Sequence, residues 1–144
     1  AVMSNLPKEV RGVTDELDQY AAAAPQLGRV IGNARALARG ATRAVNLDDS
    51  VPPEAIEAVQ RLAASVRGLA DYLAGADPKP ARADAIEAAA LANAVLEATG
   101  NLSALHIVGQ IRLAAVDLLR ATALDRDAAQ ELVRGAQPEA QLRT

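Results

Sequence analysis

His106 is the one imidazole in the chain, and Gln110 lies one helical turn beyond it. At roughly 100° per residue, Ser103, Asp117 and Arg120 fall on the same face. A histidine beside Gln and Asp has the groups for acid–base work or weak metal binding. A metal site would need a second imidazole or a nearby Glu, and this stretch offers neither. The face is expected to be a polar edge, open to water or paired across helices. Arg112 stands apart, about 240° from His106 and inside the apolar arc of Leu105, Val108 and Leu119. An unpaired buried charge is costly, so a partner from another helix is expected, with Glu97, Asn93 and Glu16 the candidates. Snorkelling to the edge and an anion-binding role are the alternatives. Arg112, Gln110, His106 and Asp117 together form a candidate buried polar or ligand site, and no metal is expected.

A second set is electrostatic. Between Ala21 and Leu47 the chain carries Arg29, Arg35, Arg39 and Arg43 and no acid. On a helix these four fall within about 120° of one another. Such a stripe could face anionic lipid headgroups, an acidic partner or an anionic solute. It could equally be a solvated face that meets the acidic residues of the next helix.

Composition narrows the chemistry. The 144 residues include 35 alanines and 18 leucines, with two tyrosines and no Phe, Trp or Cys. Strands draw on aromatic and β-branched residues, so most β-architectures are excluded. Stacking platforms for single-stranded bases are missing too. With no cysteine there is no thiol nucleophile, disulfide or Cys-ligated metal. The net charge of −3 gives no pull toward nucleic acid, which is not an expected partner. No phosphate loop or nucleophile elbow is present. Catalysis has no support in the sequence, and no cofactor is expected.

These side chains must be positioned by helices. Val10, Val13, Leu17, Tyr20, Ala24, Leu27, Ile31, Ala34, Ala38, Ala41 and Val45 alternate in steps of three and four, a heptad-like seam from about Lys8 to Asn46. Pro25 interrupts it without shifting its phase, which predicts two helices in line or one kinked helix. Further helices are expected over about Pro53–Ala74, Ala81–Thr99 and Ser103–Ala123, the last being the most apolar and central. A short helix capped by Asp125 or Asp127 should end near Gly135, and Asn101 or Ser103 should cap the one before it. The expected fold is all-α: an antiparallel bundle of four long helices, the first kinked at Pro25, plus a short C-terminal helix. One domain is expected over 1–144, with a lead segment over 1–6 and a flexible tail over 136–144. Short connections predict up-and-down neighbours. Gly28 and Gly32 should allow close approach of helix axes, and the seam should be consumed inside the monomer. A dimer, if formed, should use other surface.

No basic-then-apolar leader opens the chain, so no signal peptide is expected. The short lead around Met3 fits an excised piece as well as a processed protein. No uncharged run reaches the 18 or so residues of a membrane span, so the chain itself is expected to be soluble.

Two stretches carry a family resemblance: Ala24-Pro25-Gln26-Leu27-Gly28-Arg29-Val30-Ile31-Gly32-Asn33-Ala34-Arg35, and Ile107-Val108-Gly109-Gln110-Ile111-Arg112 followed by Ala115 to Thr122. Over roughly Leu6 to Gly135 the chain resembles the soluble tail of actinobacterial membrane proteins of the fusaric acid resistance and aromatic acid exporter family. The excess of arginine over lysine, 13 to 2, agrees with a high-GC bacterial source. The resemblance implies a non-catalytic helical domain at the cytoplasmic face of the inner membrane, serving assembly, gating or regulation. Its implied partner is the membrane portion of its own full-length chain, with a homo-oligomer and anionic lipid as further possibilities. The alternatives are a small-molecule (organic anion) sensor, a freestanding dimerisation bundle that uses the seam, and, third, an enzyme.

Overall fold

The computed structural model describes residues 7–138. The expected lead over 1–6, and the part of the expected tail over 139–144, lie outside the described residues. Among the described residues the chain is all-helical: α1 Lys8–Asn46, α2 Pro53–Leu73, α3 Lys79–Ala98, α4 Leu102–Ala121 and α5 Arg126–Gly135.

The boundaries follow from local chemistry. α1 runs through Pro25 as one helix; the proline removes one N–H from the ladder without ending it. Pro53 sits in the first turn of α2, where a missing N–H costs nothing. α2 stops before Gly75, whose φ of 103° suits only glycine. At the start of α4 the Asn101 side chain accepts from the backbone N–H groups of Ser103 and Ala104, at 2.9 and 3.2 Å. Asp125 does the same for α5 through Ala128 N–H, at 2.8 Å. Each cap satisfies donors that the helix cannot pair internally.

α4 is the centre. It packs against α1, α2, α3 and α5. By length and composition alone it could cross a membrane, with mean hydropathy 1.4, but half of that stretch is buried inside the bundle. Ile111, Leu118, Leu119 and Val108 of α4, with Leu69 of α2 and Val95 of α3, are the largest fully buried side chains that are apolar. Alanine fills much of the remaining core. Ala88, Ala89, Ala90, Leu91 and Ala92 are buried in succession, because α3 is covered from several sides by α2, α4 and α5.

Three expectations about packing are corrected. First, α1 and α2 are consecutive but barely touch; α1 lies along α4 instead. Second, the seam of α1 is not consumed. The buried face of α1 is Ala23, Gly40 and Ala44, with Val30, Asn33 and Leu37 half-buried. That face is displaced from the seam by one residue, about 100° around the helix. Val10, Val13, Leu17, Tyr20, Ile31 and Val45 are left exposed. Third, Gly28 and Gly32 face open space. The close approaches are elsewhere: a Cβ on Gly40 would lie 3.2 Å from His106 Cδ2, and one on Gly68 would lie 3.0 Å from Ala81 Cα.

Ala136, the first residue of the expected flexible tail, is packed against the bundle. Its carbonyl and that of Val133 accept from Asn93 Nδ2 at 3.1 and 2.9 Å. One amide on α3 thus fastens the C-terminal end of α5 to the bundle.

Candidate functional site

Among the described residues, grooves of three different chemistries flank α1. The first lies where the end of α1 meets the start of α4. It encloses about 830 Å³ and is lined by Arg39, Gly40, Arg43, Asp49, Asn101, Ser103 and His106, among others. Arg39 and Arg43 are one turn apart on α1, so their guanidinium groups reach the same side. Gly40 between them lets the His106 ring approach the α1 backbone. Asp49 supplies the single carboxylate of this lining, and it accepts a short hydrogen bond from Ser103 Oγ. Two guanidinium groups and an imidazole beside the N-terminal end of α4 suit an anion.

The second groove, about 540 Å³, lies further along the α1–α4 contact. Arg29, Asn33, Asp117, Arg120 and Arg126 are in its lining. Asn33 Nδ2 donates to Asp117 Oδ2 at 3.1 Å. Burial pushes the Asp117 carboxyl above its ordinary value of 3.8, opposed by Arg29 and Arg120 and by the Asn33 hydrogen bond. The arginines here surround a carboxylate of the protein itself.

The third groove separates α1 from α2. It encloses about 440 Å³, lined by Ala34, Leu37, Ala38 and Ala41 of α1, Val51 before α2, Ala55, Ile56, Val59 and Gln60 of α2, and Ile107 of α4. All but Gln60 are apolar. It exists because α1 packs on α4 and leaves its seam turned toward α2 without reaching it.

The structure therefore divides the residues that the sequence grouped. All four stripe arginines are exposed. Arg39 and Arg43 line the first groove and Arg29 the second, while Arg35 lines none of the three. None pairs with acids of α2: the one ion pair among the described residues is Arg61 with Asp84, at 3.4 Å. Arg112, Gln110, His106 and Asp117 do not converge. His106 and Asp117 are eleven residues apart on one helix, about 16 Å along its axis. His106 belongs to the first groove and Asp117 to the second. Arg112 has no ion pair among the described residues, and its Nε is buried without a hydrogen-bond partner. Glu97 and Glu16 are exposed, and Asn93 serves α5. The expected buried pair is absent. Arg112 is half-buried, with its Nε buried and unpartnered; that pattern fits a snorkelling side chain better than a buried ion pair.

Sequence reasoning did not assign Asn33 or Asp49 to a site: Asn33 lies off the apolar seam, on the side of α1 that also carries Gln19 and Gln26, and Asp49 lies in the turn after α1. It also did not assign Arg82, which donates to the Thr122 hydroxyl at 2.9 Å and to the Thr122 carbonyl at the end of α4. No family model, curated protein or solved structure matches this chain.

Proposed function

We propose that this chain is a non-catalytic helical domain of a bacterial inner-membrane exporter-like protein, serving assembly, gating or regulation of the membrane part from its cytoplasmic face. The observation that carries this reading is α1. It has 39 residues against 20 or 21 in α2, α3 and α4. That is about 58 Å of helix against about 30 Å. No residue from Lys8 to Ala22 is buried, yet Val10, Val13, Leu17 and Tyr20 form an apolar stripe along it. A long helix that offers an uncovered stripe beyond its own bundle suits attachment to another body rather than solution chemistry. The resemblance of Ala24–Arg35 and Ile107–Thr122 to exporter tails supplies the membrane context.

The test is made on the native gene product. It should contain hydrophobic segments of about 20 residues next to this domain. The native protein should sediment with membranes and be released by detergent but not by salt. A product that has no such segments and stays in the supernatant overturns the reading.

The groove of Arg39, Arg43 and His106 favours a second reading, a sensor for an organic anion. An aromatic carboxylate should then raise the melting temperature of the parent but not of the double variant Arg39→Gln/Arg43→Gln.

A further inference from the structure

We infer that the α1 seam is the interface of a homodimer in which two α1 helices run antiparallel. Each copy's projecting half fills the groove between α1 and α2 of the other. This names a second copy of the chain as the partner, and so rests on the assembly reading above.

Four observations select that occupant. The first is charge. The projecting half, Lys8 to Ala22, carries Glu9, Asp15, Glu16 and Asp18 against Lys8 and Arg11, a net of −2, while the rest of α1 carries Arg29, Arg35, Arg39 and Arg43 and no acid, a net of +4. An antiparallel pair sets acidic half against basic half twice; a parallel pair sets like against like.

The second is size matching. In an antiparallel heptad pair, a positions meet d positions. With Val10 at a and Val13 at d, Val10, Val13 and Leu17 of one copy meet Ala41, Ala38 and Ala34 of the other. Large side chains in one half face alanines in the other, the alternation that lets two helices interdigitate.

The third is shape. The groove that a partner helix would enter is already open, with Ala34, Ala38 and Ala41 on one wall, Ile56 and Val59 on the other and Ile107 contributed by α4. The strict three–four alternation persists through both halves, as expected of a helix that wraps around a partner along its full length.

The fourth is area. Val10, Val13, Leu17, Tyr20, Ile31, Val45, Ile56, Val59 and Val66 are each between 41% and 78% exposed. Side chains of that size and number supply apolar surface on the order of the 800 Å² per partner that a stable interface buries.

The chain has no cysteine, so thiols can be placed at will. Sedimentation of the parent should give twice the monomer mass of 14.9 kDa. Leu17→Asp and Ile56→Asp, both at exposed positions, should each give a monomer with unchanged helix content by circular dichroism. Arg35→Glu/Arg39→Glu should weaken the dimer at low salt by about tenfold. A short bismaleimide should link the double variant Leu17→Cys/Ala34→Cys into covalent dimers and leave Leu17→Cys alone unlinked. A monomeric parent at high micromolar concentration overturns the inference, whatever else then binds the seam. So does efficient linking of Leu17→Cys by itself, which marks a parallel pair. Neither result bears on membrane sedimentation of the native protein, so the exporter reading stands or falls separately.

Discussion

Asn33 of α1 and Asp117 of α4 meet across the contact between those two helices, with Asn33 Nδ2 donating to Asp117 Oδ2 at 3.1 Å. Asn33 sits on the face that α1 buries, between Val30 and Leu37. An amide there interrupts an apolar stripe and leaves one register in which it is satisfied. The pair thus fixes how far α1 slides along α4, and with it the placing of Arg39 and Arg43 near His106.

Asp117 gives the fold a pH dependence of definite sign. Burial raises its native pKa above the ordinary value, while Arg29, Arg120 and Asn33 pull it back without cancelling the rise. The native state therefore takes up this proton at higher pH than the unfolded chain does. Its contribution to stability grows as pH falls from neutrality through the raised pKa, and levels off below the unfolded value. Asp117→Asn should flatten that part of the stability–pH curve in urea titrations. Asn33→Leu should cost about 1–2 kcal/mol at pH 7, because the ionised carboxylate loses the amide donor that stabilises it. A parent whose stability rises steadily from pH 4 to pH 7 through this group, with the slope lost in Asp117→Asn, would contradict the assignment.

Three helix glycines should respond differently to alanine. Gly32 faces open space, so Gly32→Ala should stabilise by about 0.5–1 kcal/mol through the backbone term alone. At Gly40 the new methyl would meet His106, an exposed ring that can rotate away, and Ile107 at 3.4 Å. The gain and the contact should nearly cancel. At Gly68 the methyl would lie 3.0 Å from Ala81 Cα and 3.1 Å from Ala81 N, and backbone cannot step aside. Gly68→Ala should destabilise by about 1–3 kcal/mol despite the better helix former. Thermal melts of the three variants give the ranking directly.

The helices were legible in the sequence because their ends are local: Pro53, Asn101 and Asp125 announce starts without reference to the rest of the chain. The inward face of α1 was not. The seam through Ala24, Ile31, Ala34 and Ala38 is the more apolar face, and hydrophobic periodicity selects it. The face that packs holds Asn33 and Gly40, which lie against Asp117 and the His106 ring of α4. Polar complementarity across 84 residues leaves no periodic trace. The arginine stripe was legible as exposed, but its division between two grooves depends on where α4 lies. Arg112 shows the same limit: its apolar arc could be read from spacing, but the lack of a partner could not.

Arg112 should contribute little as a charge. Its Nε is buried without a partner and no carboxylate pairs with it among the described residues, so truncation strands nothing. Arg112→Ala should cost about 1 kcal/mol or less, mostly lost packing of the stem. Arg112→Met keeps the stem and removes an unsatisfied buried N–H, so it should match or exceed the parent. A loss of several kcal/mol in the methionine variant would reveal a charge partner and refute the snorkelling arrangement.

The end of α4 should be the fold's most sensitive polar point. Thr122 is buried; its hydroxyl donates to the Leu119 carbonyl at 2.7 Å and accepts from Arg82 Nε at 2.9 Å. A second nitrogen of Arg82 holds the Thr122 carbonyl. One guanidinium on α3 thus satisfies two acceptors at a helix terminus that water cannot easily reach. Arg82→Leu would keep the apolar stem but leave those acceptors unpaired, at about 2–3 kcal/mol. Thr122→Val would strand the Arg82 Nε instead and should cost a comparable amount. The two together should cost less than their sum, because each single change spoils the same hydrogen bond. Next to them Ala123 is held at φ 70°, a left-handed conformation that a methyl group resists, and its side chain is exposed. Ala123→Gly should therefore stabilise by about 1 kcal/mol. Denaturant titrations of the four variants check the set, and strict additivity of Arg82→Leu with Thr122→Val would show that the two residues do not share the interaction described.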